Sequence, residues 1–312
     1  MTRLNLSPII LFVYNRPDHT KNLVESLLNN NLAKRSDLFI YSDAPKNQSG
    51  SKKVAYVRQF IHTIQGFRSV QIIEQSKNKG LAASIKEGVS QIISQYGKVI
   101  VLEDDLIVSD DFLEYMNDAL EFYKNDKKIW SIAGYGPPLS CLKHYNKDVY
   151  LAPRASSWGW ATWNDRWNKV DWDVKDFQNV KNNKKMRKKF ELGGNDIYKM
   201  LELQILGKID SWAVIWCFSQ FMQNMYTVYP VKSKVFNAGF GDMHSTHTSG
   251  SGTKWAVNLN NGKVKLEKLE PEENIIKSFQ KFYNLSLFTK IGYFLRKYGG
   301  YDFAKKLYKL AR

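Results

Sequence analysis

Cysteine is nearly missing. Cys141 and Cys217 stand far apart in 312 residues, the second inside the apolar segment Ser211–Phe221, so a disulfide framework is not expected and a reducing, cytoplasmic setting is. Long apolar runs are missing too: nothing approaches the roughly 20 residues a helix needs to cross a bilayer. The first apolar run, Ile9–Val13, leads into Tyr14-Asn15-Arg16-Pro17 without a small-residue cleavage site, which makes it a strand rather than a secretion signal. Acid is scarce relative to base. With 46 Lys and Arg against 30 Asp and Glu, the formal net charge is +16, and an anionic partner is implied: a phosphate-rich ligand, a nucleic acid or an acidic membrane face. Finally, no G-x-G-x-x-G follows the first strand and no G-x-x-x-x-G-K-[ST] occurs anywhere, which removes the main support for dinucleotide oxidoreductases and P-loop enzymes.

What is present is an alternation of short β-rich runs and helical periods. Pro8–Tyr14, Leu38–Ser42, Val70–Glu74, Val99–Leu102 and Ile129–Ala133 read as strands, and Asp18–Asn29, Lys52–Gln65, Leu81–Gln95 and Asp111–Tyr123 as the helices between them. This is the pattern of an α/β protein with a mostly parallel sheet. Right-handed crossovers bring every strand's carboxyl end to one edge, where ligands bind in such sheets. That edge collects Asn15 and Arg16, then Asp43, then Asn78-Lys79-Gly80, then Glu103-Asp104-Asp105. Further on, Asp196–Gly207 and Ser211–Met225 read as helices, the second too apolar on all sides for a surface element, and Tyr229–Phe236 resumes a strand-like pattern.

The acidic triplet is the focus. Adjacent carboxylates repel one another unless a cation lies between them, and a hard divalent ion such as Mn²⁺ or Mg²⁺ needs only one or two protein carboxylates when phosphates and water complete its shell. The competing reading is an acid-rich approach to the next helix, since Asp110 and Asp111 follow closely.

Ile9–Arg16, Ser42-Asp43, Asn78-Lys79-Gly80-Leu81 and Val101–Leu106, in this order and spacing, resemble a glycosyltransferase of the Rossmann-like GT-A fold. In pattern they are similar to N-acetylglucosaminyltransferase I and to bacterial enzymes that build surface polysaccharides. The resemblance implies a metal-dependent, inverting transfer from a nucleotide-diphosphate sugar, with UDP as the expected nucleotide, to a hydroxyl of a growing glycan. It implies Asp105 as the ligand of Mn²⁺ or Mg²⁺, Glu103 and Asp104 at the ribose and donor sugar, Asp43 near the nucleobase, and Arg16 near the nucleotide, with Asn15 and Lys79 on the same donor side. It also divides the chain into a nucleotide-sugar-binding half (1–138) and an acceptor-binding and catalytic half of the same domain (139–260); the basic, aromatic helical tail (261–312) has no counterpart in the resemblance.

Asp210 in Gly207–Trp212 resembles the acid that opens a helix in this family and acts as catalytic base; an N-cap for the helix after it is the other reading. His244 and His247, in a loop rich in Gly, Ser and Thr, are candidates for the metal shell or for a charge beside the leaving diphosphate, or are simply solvated. Trp158 and Trp160 are candidates for an acceptor platform on which a sugar ring stacks, and tryptophans this close in sequence also build cores. In the tail, Leu285–Lys297 and Tyr301–Ala311 read as amphipathic helices whose bases flank an aromatic face, as in a helix lying on anionic lipid; a dimerisation helix and a charged helix packed back on the domain are the other readings. That places the protein, if anywhere beyond the cytoplasm, peripherally on the inner face of the cytoplasmic membrane, near a lipid-linked acceptor. No nucleic-acid motif accompanies these aromatics, so no nucleic acid is expected as partner. A sugar nucleotidyltransferase and a non-catalytic carbohydrate- or membrane-binding protein of the same fold are the rival readings.

Overall fold

A computed structural model of the chain describes residues 6–239 and 253–298. Its strands are β1 (Ile9–Val13), β2 (Asp37–Ser42), β3 (Ser69–Glu74), β4 (Lys98–Glu103), β5 (Leu106–Val108), β6 (Ile129–Ala133), β7 (Val149–Ala152), β8 (Trp160–Trp163), β9 (Tyr226–Pro230) and β10 (Val235–Asn237). Eight of them form one sheet in the order β3-β2-β1-β4-β8-β6-β9-β7, and β10 pairs with β5 outside it. The half built from β3, β2, β1 and β4 is parallel. There β1 and β2 are buried along their whole length, which is why they read as unbroken apolar runs.

The helices are α1 (Pro17–Leu28), α2 (Gln48–Ile61), α3 (Leu81–Tyr96), α4 (Phe112–Phe122), α5 (Asn164–Trp167), α6 (Phe177–Asn182), α7 (Lys184–Phe190), α8 (Asn195–Ile205), α9 (Trp212–Met222), α10 (Glu273–Tyr283) and α11 (Leu287–Tyr298). Pro17 opens α1 at a position where its missing N–H costs nothing, and Gly97 closes α3 in the left-handed conformation. Alternate residues of β1 serve opposite layers. Ile9, Leu11 and Val13 pack with α1, α2 and α4, whereas Ile10 and Phe12 pack with α3, α8 and α9. The expected α/β architecture, a mostly parallel GT-A-type sheet with flanking helices and a helical C-terminal region, is therefore the observed one.

The tryptophan-rich segment departs from expectation. It supplies β8, an antiparallel strand inserted between β4 and β6, and its indoles line a core: Trp160 lies 5.3 Å from Trp212 and 5.4 Å from Trp216, and Trp216 lies 4.5 Å from Trp130. Tyr229–Phe236 is not one strand, because β9 ends at Pro230 and the chain turns before β10 pairs antiparallel with β5. The sequence pattern also left α10 unread; it buries Ile275 and Phe279. Of the two expected tail helices, Leu285–Lys297 corresponds to α11, and Tyr301–Ala311 lies outside the described residues.

Residues 256–272 carry no helix or strand and run back across the domain. Leu269 joins the core, and the Tyr123 hydroxyl donates to the Glu267 carbonyl at 2.6 Å. The anchor is Lys234, whose side chain is 1% exposed. Its Nζ donates to Asp111 Oδ2 at 2.6 Å and to the carbonyls of Asn260 and Gly262 at 2.8 Å each. All three ammonium protons are thus used, which is the condition for burying a charge at tolerable cost.

Replacing Lys234 with Met leaves Asp111 without its ion-pair partner and two carbonyls without this donor. The expected loss is about 3 kcal/mol, the low end for breaking a buried pair, read as a lower urea midpoint at neutral pH. Burial alone would raise the Asp111 carboxyl, but the donors from Lys234, Ser109 and Gly262 outweigh it and hold the group below the usual carboxylate range. A folded value below the unfolded one means stability that is present above the unfolded pKa and lost as pH falls through the folded one. The Lys234→Met protein is expected to show a shallower loss of stability on acidification than wild type.

Candidate active site at the carboxyl edge

The parallel half of the sheet delivers its loops to one corner. Phe12 of β1 stands opposite Glu103 of β4, so the turn after β1 and the acids after β4 are neighbours by register. Arg16 Nη1 lies 2.9 Å from Asp105 Oδ2 and 3.6 Å from Asp104 Oδ1. Asp104 Oδ2 accepts from the Tyr14 amide at 3.2 Å, and the Tyr14 hydroxyl accepts from the Lys46 amide at 2.9 Å. Asn15 is half-buried on the same turn. Burial first, then the neighbouring Asp105 and Asp104 charges, push Glu103 well above the usual carboxylate range, with Arg16 pulling the other way.

From the other side, β10 closes on the same corner. Asn237 stands opposite Leu106, and the Ala238 amide donates to the Asp105 carbonyl at 2.8 Å. Gly239 follows so tightly that a β-carbon there would sit 2.5 Å from Asp105 Oδ2, too close for any side chain unless the carboxylate moved. Sequence reasoning missed this contact, because strands of three residues leave no legible period. His244 and His247 lie outside the described residues; the chain segment that contains them begins just past Gly239.

Asp43 organises the third loop. Its carboxylate accepts from the Ala44, Lys79 and Gly80 amides at 2.8, 2.9 and 2.9 Å and from Asn78 Nδ2 at 3.0 Å. Gly80 has φ of 77°, a conformation a side chain would disfavour, and it caps α3. Asp43 is therefore committed to the shape of the 78–80 turn. The Lys79 ammonium is paired with Glu87 of α3.

The second half of the chain brings Asp210 to the same edge. Trp160 is opposite Val101, near the carboxyl end of β4. Trp212 packs on Trp160, and Trp216, one turn further along α9, reaches Trp130 near the amino end of β6. Helix α9 thus starts at the carboxyl edge, and Asp210 is exposed just before it. Ser211 occupies the N-cap position of α9, and its side chain makes no capping hydrogen bond. One expectation is corrected outright: Trp160 is 0% exposed, and a buried ring offers no face to a sugar. Trp158 is half-buried, edge-on to Tyr135 and Trp255 at 4.6 and 5.7 Å.

Chemically, Asp104 and Asp105 direct oxygens at one nitrogen, Nη1, of the Arg16 guanidinium. Hard oxygen donors converging on a stand-in cation fit Mn²⁺ or Mg²⁺, which binds through one or two carboxylates and takes its other ligands from phosphate and water. Asp105 is the residue that would hold it. Among the described residues no group of three or more His, Cys, Asp or Glu is placed to hold a metal ion by itself; an ion whose other ligands were phosphate and water would need only one or two carboxylates.

Residues 9–138 match Glycosyl transferase family 2. The chain is similar to the alpha-1,3-mannosyl-glycoprotein 2-beta-N-acetylglucosaminyltransferase of Arabidopsis thaliana, with 24% identity over 202 residues, 59% of this chain and 45% of that protein. It thus spans less than half the length of that relative. Among solved structures it is similar to S. aureus TarS 1-349 in complex with UDP (TM-score 0.40, 14% identity, 74% of this chain and 59% of that one). It is also similar to the mannosyltransferase PcManGT from Pyrobaculum calidifontis in complex with GDP-Man and Mn2+ (TM-score 0.34, 11% identity, 51% of this chain and 45% of that one).

Asp43→Asn puts an amide NH₂ where backbone N–H groups now donate. Stability is expected to drop by about 1–3 kcal/mol, the cost of leaving buried donors unsatisfied, and hydrogen exchange at the Lys79 and Gly80 amides to quicken. Unchanged exchange at both would remove Asp43 as the organiser of this turn.

Proposed function

We propose, from the match of residues 9–138 to Glycosyl transferase family 2, that the chain is a metal-dependent, inverting glycosyltransferase. Its donor would be a nucleotide-diphosphate sugar, UDP-linked, and its acceptor a hydroxyl of a growing surface glycan. The observation that carries this reading is the convergence of Asp104 and Asp105 on one guanidinium cation, that of Arg16, at the ligand edge of the sheet. Asp105 would hold a divalent ion, which when bound would neutralise charge on the leaving diphosphate.

The chain's own residues divide the remaining work. Asn15 and Arg16 flank the donor from the β1 turn, Glu103 and Asp104 face its ribose and sugar, and Asp43 sets the 78–80 turn against the nucleotide. The acceptor oxygen forms its bond to the anomeric carbon as the bond to the diphosphate breaks, and the acceptor proton passes to the Asp210 carboxylate. Trp158 bounds the acceptor side. His244 and His247, a few residues past Gly239, are our candidates for the rest of the metal shell or for a charge on the departing nucleoside diphosphate.

The test is release of UDP from a panel of UDP-sugars with and without Mn²⁺. Asp105→Asn is expected to abolish the metal-dependent part, and Asp210→Asn to lower kcat by about 10²–10⁴-fold, the usual share of a general base, while donor affinity holds. Wild-type turnover by Asp105→Asn would defeat the reading. Pyrophosphate formed from a nucleoside triphosphate would point to the nucleotidyltransferase instead.

A membrane partner is favoured by α11. Ile291, Phe294 and Tyr298 are exposed along one stripe at 51%, 61% and 68%, Lys290 is exposed beside them, and the sequence beyond carries Lys305, Lys306, Lys309 and Arg312 against Asp302. Apolar side chains flanked by bases suit the headgroup layer of anionic lipid. No helix among the described residues is long and apolar enough to cross a membrane, so this would be a surface contact. The protein is expected to sediment with phosphatidylglycerol vesicles and not with phosphatidylcholine, and Ile291→Glu/Phe294→Glu to stay in the supernatant. Equal partition of that variant and wild type would exclude α11 as the contact.

A further inference from the structure

The acidic corner carries its own cation. Arg16 bonds Asp105 at 2.9 Å and reaches Asp104 at 3.6 Å, and the three side chains are only 15%, 17% and 11% exposed, so water screens them weakly. The backbone of Arg16 is held in place. Pro17 follows it, and its carbonyl accepts from the Thr20 amide at 2.9 Å and the Thr20 hydroxyl at 2.8 Å. Any adjustment at this corner therefore falls to the long, flexible arginine side chain. A guanidinium hydrogen-bonded to a carboxylate oxygen and a divalent ion coordinated to that oxygen repel one another at close range.

We propose that Arg16 is a resident counter-cation which competes with the divalent ion for Asp105. In the metal-free protein it compensates the carboxylates that would otherwise repel. When metal arrives, the guanidinium yields Asp105 and is left beside the donor's diphosphate, a planar fork suited to phosphate oxygens. Metal alone is then held weakly, because each ion must displace a partner already in place, and metal with nucleotide is held well, because the displaced arginine gains a new acceptor. This inference rests on the reading of Asp105 as metal ligand.

The experiment is calorimetric titration of the full chain with Mn²⁺, with and without UDP, for wild type, Arg16→Lys, Arg16→Met and Asp105→Asn, together with melting temperatures of the metal-free proteins. Arg16→Met is expected to bind Mn²⁺ alone about tenfold more tightly than wild type, the weight of one charge-assisted hydrogen bond. Arg16→Lys is expected to fall between them. Metal-free Arg16→Met should melt lower than wild type, and saturating Mn²⁺ should raise it by more than it raises wild type. Equal Mn²⁺ affinity in wild type and Arg16→Met, or a melting deficit that metal does not reduce, overturns the competition and leaves the metal site intact. If Asp105→Asn binds Mn²⁺ as well as wild type with UDP present, or if wild type binds none, the Asp105 reading itself falls and this inference with it.

Discussion

Mutual repulsion among three successive carboxylates at the end of a buried strand is the constraint on which the rest of this structure turns. Glu103, Asp104 and Asp105 end an apolar strand that closes the parallel half of the sheet, and left alone they would favour protonation or separation. The Arg16 guanidinium from the β1 turn pairs with Asp105 and the Tyr14 amide donates to Asp104, while Glu103, buried beside both acids, is pushed well above the usual carboxylate range. The parallel register between β1 and β4 makes the two contacts possible, since it sets the ends of those strands side by side.

The second half of the chain gives that corner its shape. The short pairing of β5 with β10 brings Gly239 against Asp105, and buried Lys234 in the turn before β10 ties the returning segment to Asp111. On the opposite face, the packed indoles of Trp160, Trp167, Trp212 and Trp216 bind β8 to α9. Their packing sets where α9 begins, and so where Asp210 stands. The tryptophans act on the site through the backbone they position; Trp160 has no open face of its own.

Legibility in the sequence followed the range of the interactions involved. Runs such as Ile9–Val13 and Val99–Leu102 declare themselves because both faces of a parallel strand are buried, and the intervening helices declare themselves by a period that local burial imposes. The acids, Arg16, Asp43 and Asn78 were placed at the edge by topology alone. The Trp160 reading failed because a tryptophan's sequence neighbourhood does not distinguish a ring packed among other rings from one facing a ligand. Strands β7, β8 and β10 stayed hidden because each is short and their pairing partners are distant in sequence.

The sequence by itself determined an α/β chain with a mostly parallel first half, its carboxyl edge bearing acids beside Asn15 and Arg16, because strand and helix periods and crossover handedness are local properties. Only the tertiary structure decided that Asp43 spends its acceptors on the 78–80 turn, that Arg16 already pairs with Asp105, and that Gly239 closes on the acids. Each of those depends on which hydrogen-bond donor or ring arrives from a segment far along the chain, and no local pattern encodes that arrival.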